Sequence, residues 1–175
     1  MKTVLTALFV VASCAATKPQ TPVPRGFAVA APDTTFGEYR TFAFGLTEAP
    51  PAGYQRSARS LGVQRLMRPL IATAFQQKGY GSGAEKPDLV VTFSSGTLEE
   101  SVPRVINPYE SVNDVVFTAS IAVDVFDAAT GLQVWHGAGS AQVDPKKVND
   151  DLLQRGVRDL LASFPSRGIA SAAAP

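Results

Sequence analysis

The chain has 175 residues, of which 45% are hydrophobic and 18% charged, a composition typical of one globular domain rather than of a disordered protein. Sixteen basic residues against fifteen acidic ones leave a formal net charge of +1, so the bulk charge gives no reason to expect nucleic acid as a partner. The single cysteine and single histidine exclude a disulfide framework and a zinc site built from several such residues. We expect no metal and no cofactor.

The N-terminus has the pattern of a short export signal. Lys2 precedes an apolar stretch from Val4 to Val11, which is too short to cross a hydrocarbon layer that needs roughly 20 helical residues. The tetrapeptide Val11-Ala12-Ser13-Cys14 resembles a bacterial lipobox. That resemblance implies removal of residues 1–13, attachment of lipid to the Cys14 thiol, and acylation of the new amino terminus, typically with palmitate.

Two alternatives to lipid anchoring stay open. A secretory signal cleaved after Ala16 would release a soluble periplasmic protein, and a cytosolic protein would simply begin with an apolar segment. Prolines interrupt the stretch that follows Cys14, and we interpret residues 14–33 as the lipidated cysteine and a proline-rich tether. Ala15 resembles the corresponding residue of outer-membrane lipoproteins of Gram-negative bacteria, which implies the periplasmic face of the outer membrane.

We expect a single folded domain over residues 34–165, followed by a disordered tail at 166–175. Phe36, Phe42 and Phe44 share a parity and predict a first, half-buried strand. A loop rich in glycine and proline follows this strand.

The stretch 57–78 has apolar residues at spacings of three and four, which predicts an amphipathic helix. Gly79 is placed to end the helix in a left-handed conformation. Pro69 lies within this stretch, so it either kinks the helix or marks its true first turn.

A second strand is predicted at "KPDLVVTFSS", and its unbroken Leu89-Val90-Val91 indicates burial on both faces. Residues 98–114 contain two prolines and are expected to form a long connection. Residues 115–143 then alternate in polarity on both sides of a turn from Asp127 to Gly131, which predicts an antiparallel hairpin.

The last helix is predicted to start at Asp144-Pro145 and to run to about Phe164. The resulting order, β-α-β-β-β-α, predicts an α+β fold. We expect a four-stranded, mainly antiparallel sheet with two helices packed on one face, a two-layer sandwich.

Several local patterns stand in a fixed order behind the lipobox-like segment. They are "EYRTFAF", "QKGY", "KPDLVVTF", "VDVFDAATGLQVWHG" and, at the end of the last helix, "SFP". Together they resemble domain-of-unknown-function family 4136, a group of bacterial envelope lipoproteins, over about residues 30–165. The resemblance implies a fold and a compartment. The family has no established activity, so it implies no catalytic residue.

The sequence offers few candidates for chemistry. His136 would need a nucleophile and an orienting acid to act as a general base, and Ser140 on the same strand face is roughly 13 Å away. Asp124, Asp127 and Asp144 lack the alternating oxygen ligands of a calcium loop, and Asp127 is better explained as a turn-former. We therefore assign no catalytic and no metal-binding residue.

Two kinds of binding residue are candidates. Cys14 is the candidate lipidation site. Arg59, Arg65 and Arg68 lie around the first helix and are candidate contacts for an anionic ligand such as a lipid headgroup, because guanidinium groups suit phosphates. The alternative is a solvated helix face.

The sequence favours a lipid-anchored, non-enzymatic envelope protein that binds a partner protein, peptidoglycan or a lipid. One alternative is a carrier of a lipid or other apolar ligand in a cleft between the sheet and the first helix. A less favoured alternative is a hydrolase whose site is formed by residues of the 98–114 connection.

Overall fold

A computed structural model describes residues 25–56, 58–144 and 150–167. Neither of the two helices within these ranges has the length and hydropathy needed to span a membrane. The elements, in chain order, are β1 (Arg25–Ala30), β2 (Thr41–Phe44), α1 (Ala58–Gln77), β3 (Gly81–Ser82), β4 (Leu89–Asn107), β5 (Glu110–Asp127), β6 (Gln133–Val143) and α2 (Asp150–Ala162).

The sheet has six strands in the order β1-β6-β5-β4-β2-β3. β2 pairs in parallel with β4 and with β3, whereas the other neighbours are antiparallel. The α+β class agrees with the sequence prediction, but the expected four-stranded, mainly antiparallel sheet is wrong, because the sheet is six-stranded and mixed.

Two of the six strands have little signal in the sequence. β1 lies in the stretch that we assigned to the tether, yet "RGFAVA" contains no proline and pairs with β6 over six residues. The folded part therefore begins at least as early as Arg25. β3 has only two residues, too few for any alternation of polarity.

The expected connection at 98–114 is also wrong. β4 continues to Asn107 and β5 begins at Glu110, so most of this segment is paired strand. Pro103 lies opposite Asn113, in a part of the ladder where β4 and β5 form a two-stranded ribbon. A proline is tolerated there because alternate N–H groups of such a ribbon point to solvent.

The hairpin of β5 and β6 confirms the most specific prediction. The Asp127 carboxylate accepts hydrogen bonds of 2.8 Å from the amides of Ala129 and Thr130. Gly131 adopts a φ of 70°, the left-handed conformation that closes the turn.

Helix α1 also agrees with its prediction. Gly79 has a φ of 92°, and the Tyr80 amide bonds back to the Phe75 carbonyl, as in a glycine-capped helix end. Pro69 lies well inside the helix rather than in its first turn. The predicted start of α2 at Asp144-Pro145 falls partly outside the described residues, and the described helix begins at Asp150.

The core lies between one face of the sheet and the two helices. Phe164, directly after α2, joins these layers: its ring stacks on Phe75 with centroids 4.5 Å apart and meets Trp135 edge-on at 5.3 Å. Aromatic pairs of this kind stabilise by about 0.5–1.5 kcal/mol beyond their buried area. The buried residues that the helices contribute are Met67, Ile71, Phe75, Val157, Leu160 and Leu161.

Candidate functional site

A cavity of about 1130 Å³ lies between the sheet and the helices, next to the packed core and open to solvent. This volume is at the upper end of the range of roughly 300–1,000 Å³ that small-molecule sites occupy. Phe117 and Ile121 of β5 line it from the sheet, and Val63 of α1 and Leu153 of α2 line it from the helices. The walls are therefore largely apolar.

The cavity exists because the side chains of the sheet become small. The residues of β6 that face the helices are, in order, Trp135, Gly137, Gly139 and Ala141, and Ala119 of β5 lies directly opposite Ala141. Within six residues, the side chains on this face therefore decrease in size from an indole to a hydrogen atom or a methyl group. The sheet surface recedes while the helices continue above it, which leaves space between the two layers.

The two glycines of this strand have different roles. A Cβ on Gly137 would lie 2.3 Å from the Cη2 atom of Trp135, so this glycine makes room for the buried indole. Gly139 instead lines the cavity.

One polar group lies deep in the apolar wall. Ser95 of β4 is opposite Ile121, lines the cavity and is 4% exposed. Its hydroxyl has no hydrogen-bond partner within the described residues. A buried polar group left without a partner costs about 1–3 kcal/mol.

Charged groups are confined to the edge of the cavity and are mixed in sign. Arg56, Glu99, Arg155 and Asp159 line it, and all four are exposed. Arg56 also donates a 2.8 Å hydrogen bond to the carbonyl of Glu48, which ties its guanidinium to the preceding loop. Two arginines and two carboxylates favour neither an anionic nor a cationic ligand.

A second polar arrangement lies on the opposite face of the sheet. His136 and Asp124 are cross-strand partners, and the His136 Nδ1 atom lies 2.5 Å from the Asp124 Oδ1 atom. Gln133 donates to the same carboxylate oxygen, and the Phe27 ring packs 5.3 Å from the imidazole. His136 therefore has an orienting acid, Asp124. Its neighbours Phe27 and Gln133 have no hydroxyl or thiol group that could act as a nucleophile.

The sequence did not reveal this pair because the two residues are adjacent only through the strand register. Asp124 and His136 are twelve residues apart in the chain. The position of the turn, Asp127 to Gly131, is not sufficient to predict this pairing, because the register of the two strands shifts between Val125 and Phe126. A one-residue change of register would place the histidine and the aspartate on opposite faces.

Of the three arginine candidates, Arg65 and Arg68 do not line the cavity. Arg68 packs against Phe44, with its guanidinium carbon 5.0 Å from the ring centroid, and donates a 3.4 Å hydrogen bond to the Gly45 carbonyl. Arg65 is exposed, and Arg59 lies in the part of α1 for which only the backbone is described. The arginines that do line the cavity are Arg56, two residues before α1, and Arg155 of α2.

The lipidation candidate Cys14 lies outside the described residues. Two of the three aspartates considered for calcium serve separate roles: Asp124 contacts His136, and Asp127 holds the hairpin turn. No group of three or more potential metal ligands occurs in the described ranges.

Solved structures resemble the chain in fold. A DUF4136 family protein from Bacteroides thetaiotaomicron aligns with a TM-score of 0.52 and 14% identity, covering 82% of this chain and 96% of that one. The PelC dodecamer from Paraburkholderia phytofirmans gives a TM-score of 0.52 at 10% identity, covering 83% and 99%. At these identities the likeness extends to the fold alone.

A PDZ domain protein from Parabacteroides distasonis aligns with a TM-score of 0.54 and 13% identity over 86% of this chain. The match covers 38% of that longer chain, so the similarity concerns one part of it. No curated protein matches the sequence.

The family comparison covers most of the chain and agrees with the motif resemblance. A family model described as a domain of unknown function, DUF4136, matches residues 29–166, which include every element from α1 to α2. The chain belongs to the DUF4136 family.

Proposed function

We propose that the chain is a lipid-anchored protein of the bacterial envelope whose domain binds a largely apolar ligand, without catalysis, in the cavity between sheet and helices. The cavity carries this proposal: about 1130 Å³ of space with apolar walls, open to solvent. Exposing such walls to water is unfavourable by roughly 25 cal/mol per Å² of apolar surface. A ligand that covers them gains that free energy on binding.

The wall chemistry narrows the ligand class. Phe117, Ile121 and Leu153 suit hydrocarbon. The mixed charges at the edge accommodate a headgroup of either sign. A lipid or other amphiphile fits this description, whereas peptidoglycan, whose sugars and peptides are polar, fits it less well.

The proposed location rests on the sequence. Val11-Ala12-Ser13-Cys14 resembles a lipobox, and Ala15 favours the outer membrane and its periplasmic face. Membership of the DUF4136 family is consistent with an envelope protein. A lipid anchor at Cys14 would hold the cavity near a bilayer, which is a source of amphiphilic ligands.

Hydrolysis is the less favoured function. The segment 98–114, to which the hydrolase alternative assigns its site, is mostly paired strand. His136 and Asp124 lie on the sheet face opposite to Ser95, because Ser95 is paired with Ile121 and Asp124 with Thr92. Ser95 is therefore out of reach of the histidine.

Filling the cavity tests the proposed site. The probe is a fluorescent fatty acid titrated into the full chain carrying Cys14→Ala. Ala141→Phe places a ring in the cavity and is expected to weaken probe binding at least about tenfold. Ala138→Phe, on the same strand but the opposite face, is the matched control and is expected to leave the affinity unchanged. Equal affinity in both variants would place the binding site elsewhere.

Anchoring is tested separately. Cells producing the parent chain or Cys14→Ala are fed an alkyne analogue of palmitate and fractionated. We expect the parent chain to carry the alkyne label and to fractionate with the membrane. We expect Cys14→Ala to be unlabelled and to fractionate with the soluble periplasm. An unchanged distribution in the variant would refute the anchor and leave the cavity proposal standing.

A further inference from the structure

The β4–β5 hairpin extends beyond the rest of the sheet as a two-stranded arm, residues 98–117, which we call the ribbon. Val143 pairs with Phe117 at its base, and Gln55 bridges to Thr97 on the other side. Past these points the described residues provide no third strand. An isolated two-stranded hairpin is only marginally stable in water, so a second surface that packs on the ribbon would stabilise it.

The ribbon exposes several large apolar side chains to solvent, which is unfavourable for an arm surrounded only by water. Tyr109 at the tip is 98% exposed, and Val105 beside it is 73% exposed. The remaining large exposed apolar residues of the ribbon are Val102, Ile106 and Val115. Val102 and Val105 lie on opposite faces of the ribbon, because they are three residues apart in one strand. Exposed apolar residues gathered on one arm mark an interaction surface.

The ribbon is also acidic. It carries four carboxylates against one arginine, and that arginine, Arg104, is paired with Asp114 at 2.6 Å. The carboxylates left over are Glu99, Glu100 and Glu110. A binding surface for the ribbon should therefore be basic and partly apolar.

Such a surface is present on α1. The stretch 56–78 contains four arginines and one lysine but no acidic residue. Arg65 and Arg68 are three residues apart on α1, so they lie on one side of the helix, and both are exposed. Leu46, which is 90% exposed, is next to Gly45, whose carbonyl accepts a hydrogen bond from Arg68. We call these three residues the α1 patch.

The ribbon cannot reach the α1 patch of its own chain. Arg68 packs on Phe44, which pairs with Val91, and Val105 lies fourteen residues further along the same continuous strand. At a rise of about 3.3 Å per residue, the ribbon tip is about 46 Å away. The complementary surfaces of one chain are therefore available only to another molecule.

We propose that a second copy of this chain is the partner: the ribbon of one copy docks on the α1 patch of the next. Both surfaces combine exposed apolar side chains with charge of opposite sign, which favours encounter and fixes orientation. The contact joins two different surfaces, so it leaves a free ribbon at one end and a free patch at the other. Repetition builds a closed ring or a filament.

A charge-swap experiment tests the contact, using the full chain carrying Cys14→Ala and sedimentation velocity. The ribbon variant is Glu100→Lys with Glu110→Lys, and the patch variant is Arg65→Glu. Arg68 is kept because it contacts Phe44 within the domain. We expect the parent to associate at micromolar concentration and each variant alone to associate at least about tenfold more weakly.

An equimolar mixture of the two variants is expected to restore association, because the native ribbon meets a native patch and the reversed ribbon meets the reversed patch. Raising the salt concentration is expected to weaken assembly of the parent. The proposal is overturned by a parent that stays monomeric at high micromolar concentration, by either variant associating as the parent does, or by a mixture that fails to reassociate. Binding of the ribbon to a different envelope protein would give the first of these results.

Discussion

At the scale of single residues, two carboxylates have lowered pKa values: Asp88, which joins segments far apart in the chain, and Asp127, which acts within its own turn. Asp88 accepts hydrogen bonds from the Arg40 amide at 2.8 Å and the Thr41 amide at 2.9 Å, and the former is the main reason that its pKa lies below the ordinary 3.8. The Thr130 amide is the main cause of the lowered pKa of Asp127. Both carboxylates hold the ends of strands in place.

The lowered pKa of Asp88 predicts an acid-dependent loss of stability. Its contribution is present above the pKa of the unfolded chain and is lost as the pH falls through the lower pKa of the folded state. We expect Asp88→Asn to reduce the free energy of unfolding at pH 7 by about 1–2 kcal/mol, and by less at acid pH. Urea unfolding at several pH values measures this, with the exposed Glu85→Gln as control. A deficit that is independent of pH would contradict the assignment.

The contact between Trp135 and Gly137 gives a second prediction. A methyl group on Gly137 would overlap the indole, which is 2% exposed and held in the core, so Gly137→Ala should destabilise by about 1–3 kcal/mol. Gly26→Ala, also in a strand, meets its nearest atom at 3.5 Å and should change stability little. Trp135 is the single tryptophan, so its fluorescence follows unfolding directly. Similar stabilities for the two variants would argue against the tight contact.

At the scale of elements, the sequence predicts structure where local chemistry decides it. The β5–β6 turn and the end of α1 were predicted because Asp127, Gly131 and Gly79 act on their immediate neighbours. β1 and the ribbon were missed because prolines nearby indicated loops, whereas the strands form through pairing with distant segments. Tertiary pairing overrode the local signal in both cases.

Pro69 is the element-scale feature that most weakens α1. It lies inside the helix and exposed, and its nitrogen has no hydrogen to donate to the preceding turn. We expect Pro69→Ala to raise the free energy of unfolding by about 1–3 kcal/mol. The control is Gln77→Ala, at an exposed position of the same helix, which should change the free energy of unfolding little. Thermal and urea unfolding test this. A loss of stability would mean that the surrounding packing depends on the proline.

The candidate site was only partly predictable. The sequence allows, as one alternative, a carrier that binds an apolar ligand in a cleft between the sheet and the first helix. It does not identify the residues that line this cleft. Ala119 and Ala141 have no distinctive signal, since small residues occur in any strand, and only the register places them opposite each other. The unpartnered Ser95 hydroxyl depends on the whole arrangement of the layers.

At the scale of the whole molecule, three parts of the chain have different proposed roles. The N-terminal cysteine is the proposed anchor, the cavity is the proposed ligand site, and the ribbon is the proposed contact between copies. The cavity is lined by Gly26 and Phe27 of β1, the first strand of the described residues, and by Glu99 at the base of the ribbon. A ligand in the cavity would therefore touch the elements that lead to the other two surfaces.

The central claim is that this cavity holds an apolar ligand, and native mass spectrometry tests it most directly. The full chain carrying Cys14→Ala is purified from cells without detergent, alongside the same chain carrying also Ala141→Phe or Ala138→Phe. The account predicts a co-purifying lipid-sized mass on the parent and on Ala138→Phe, and its loss from Ala141→Phe. A clean mass of the bare chain for the parent, in repeated preparations, would contradict it.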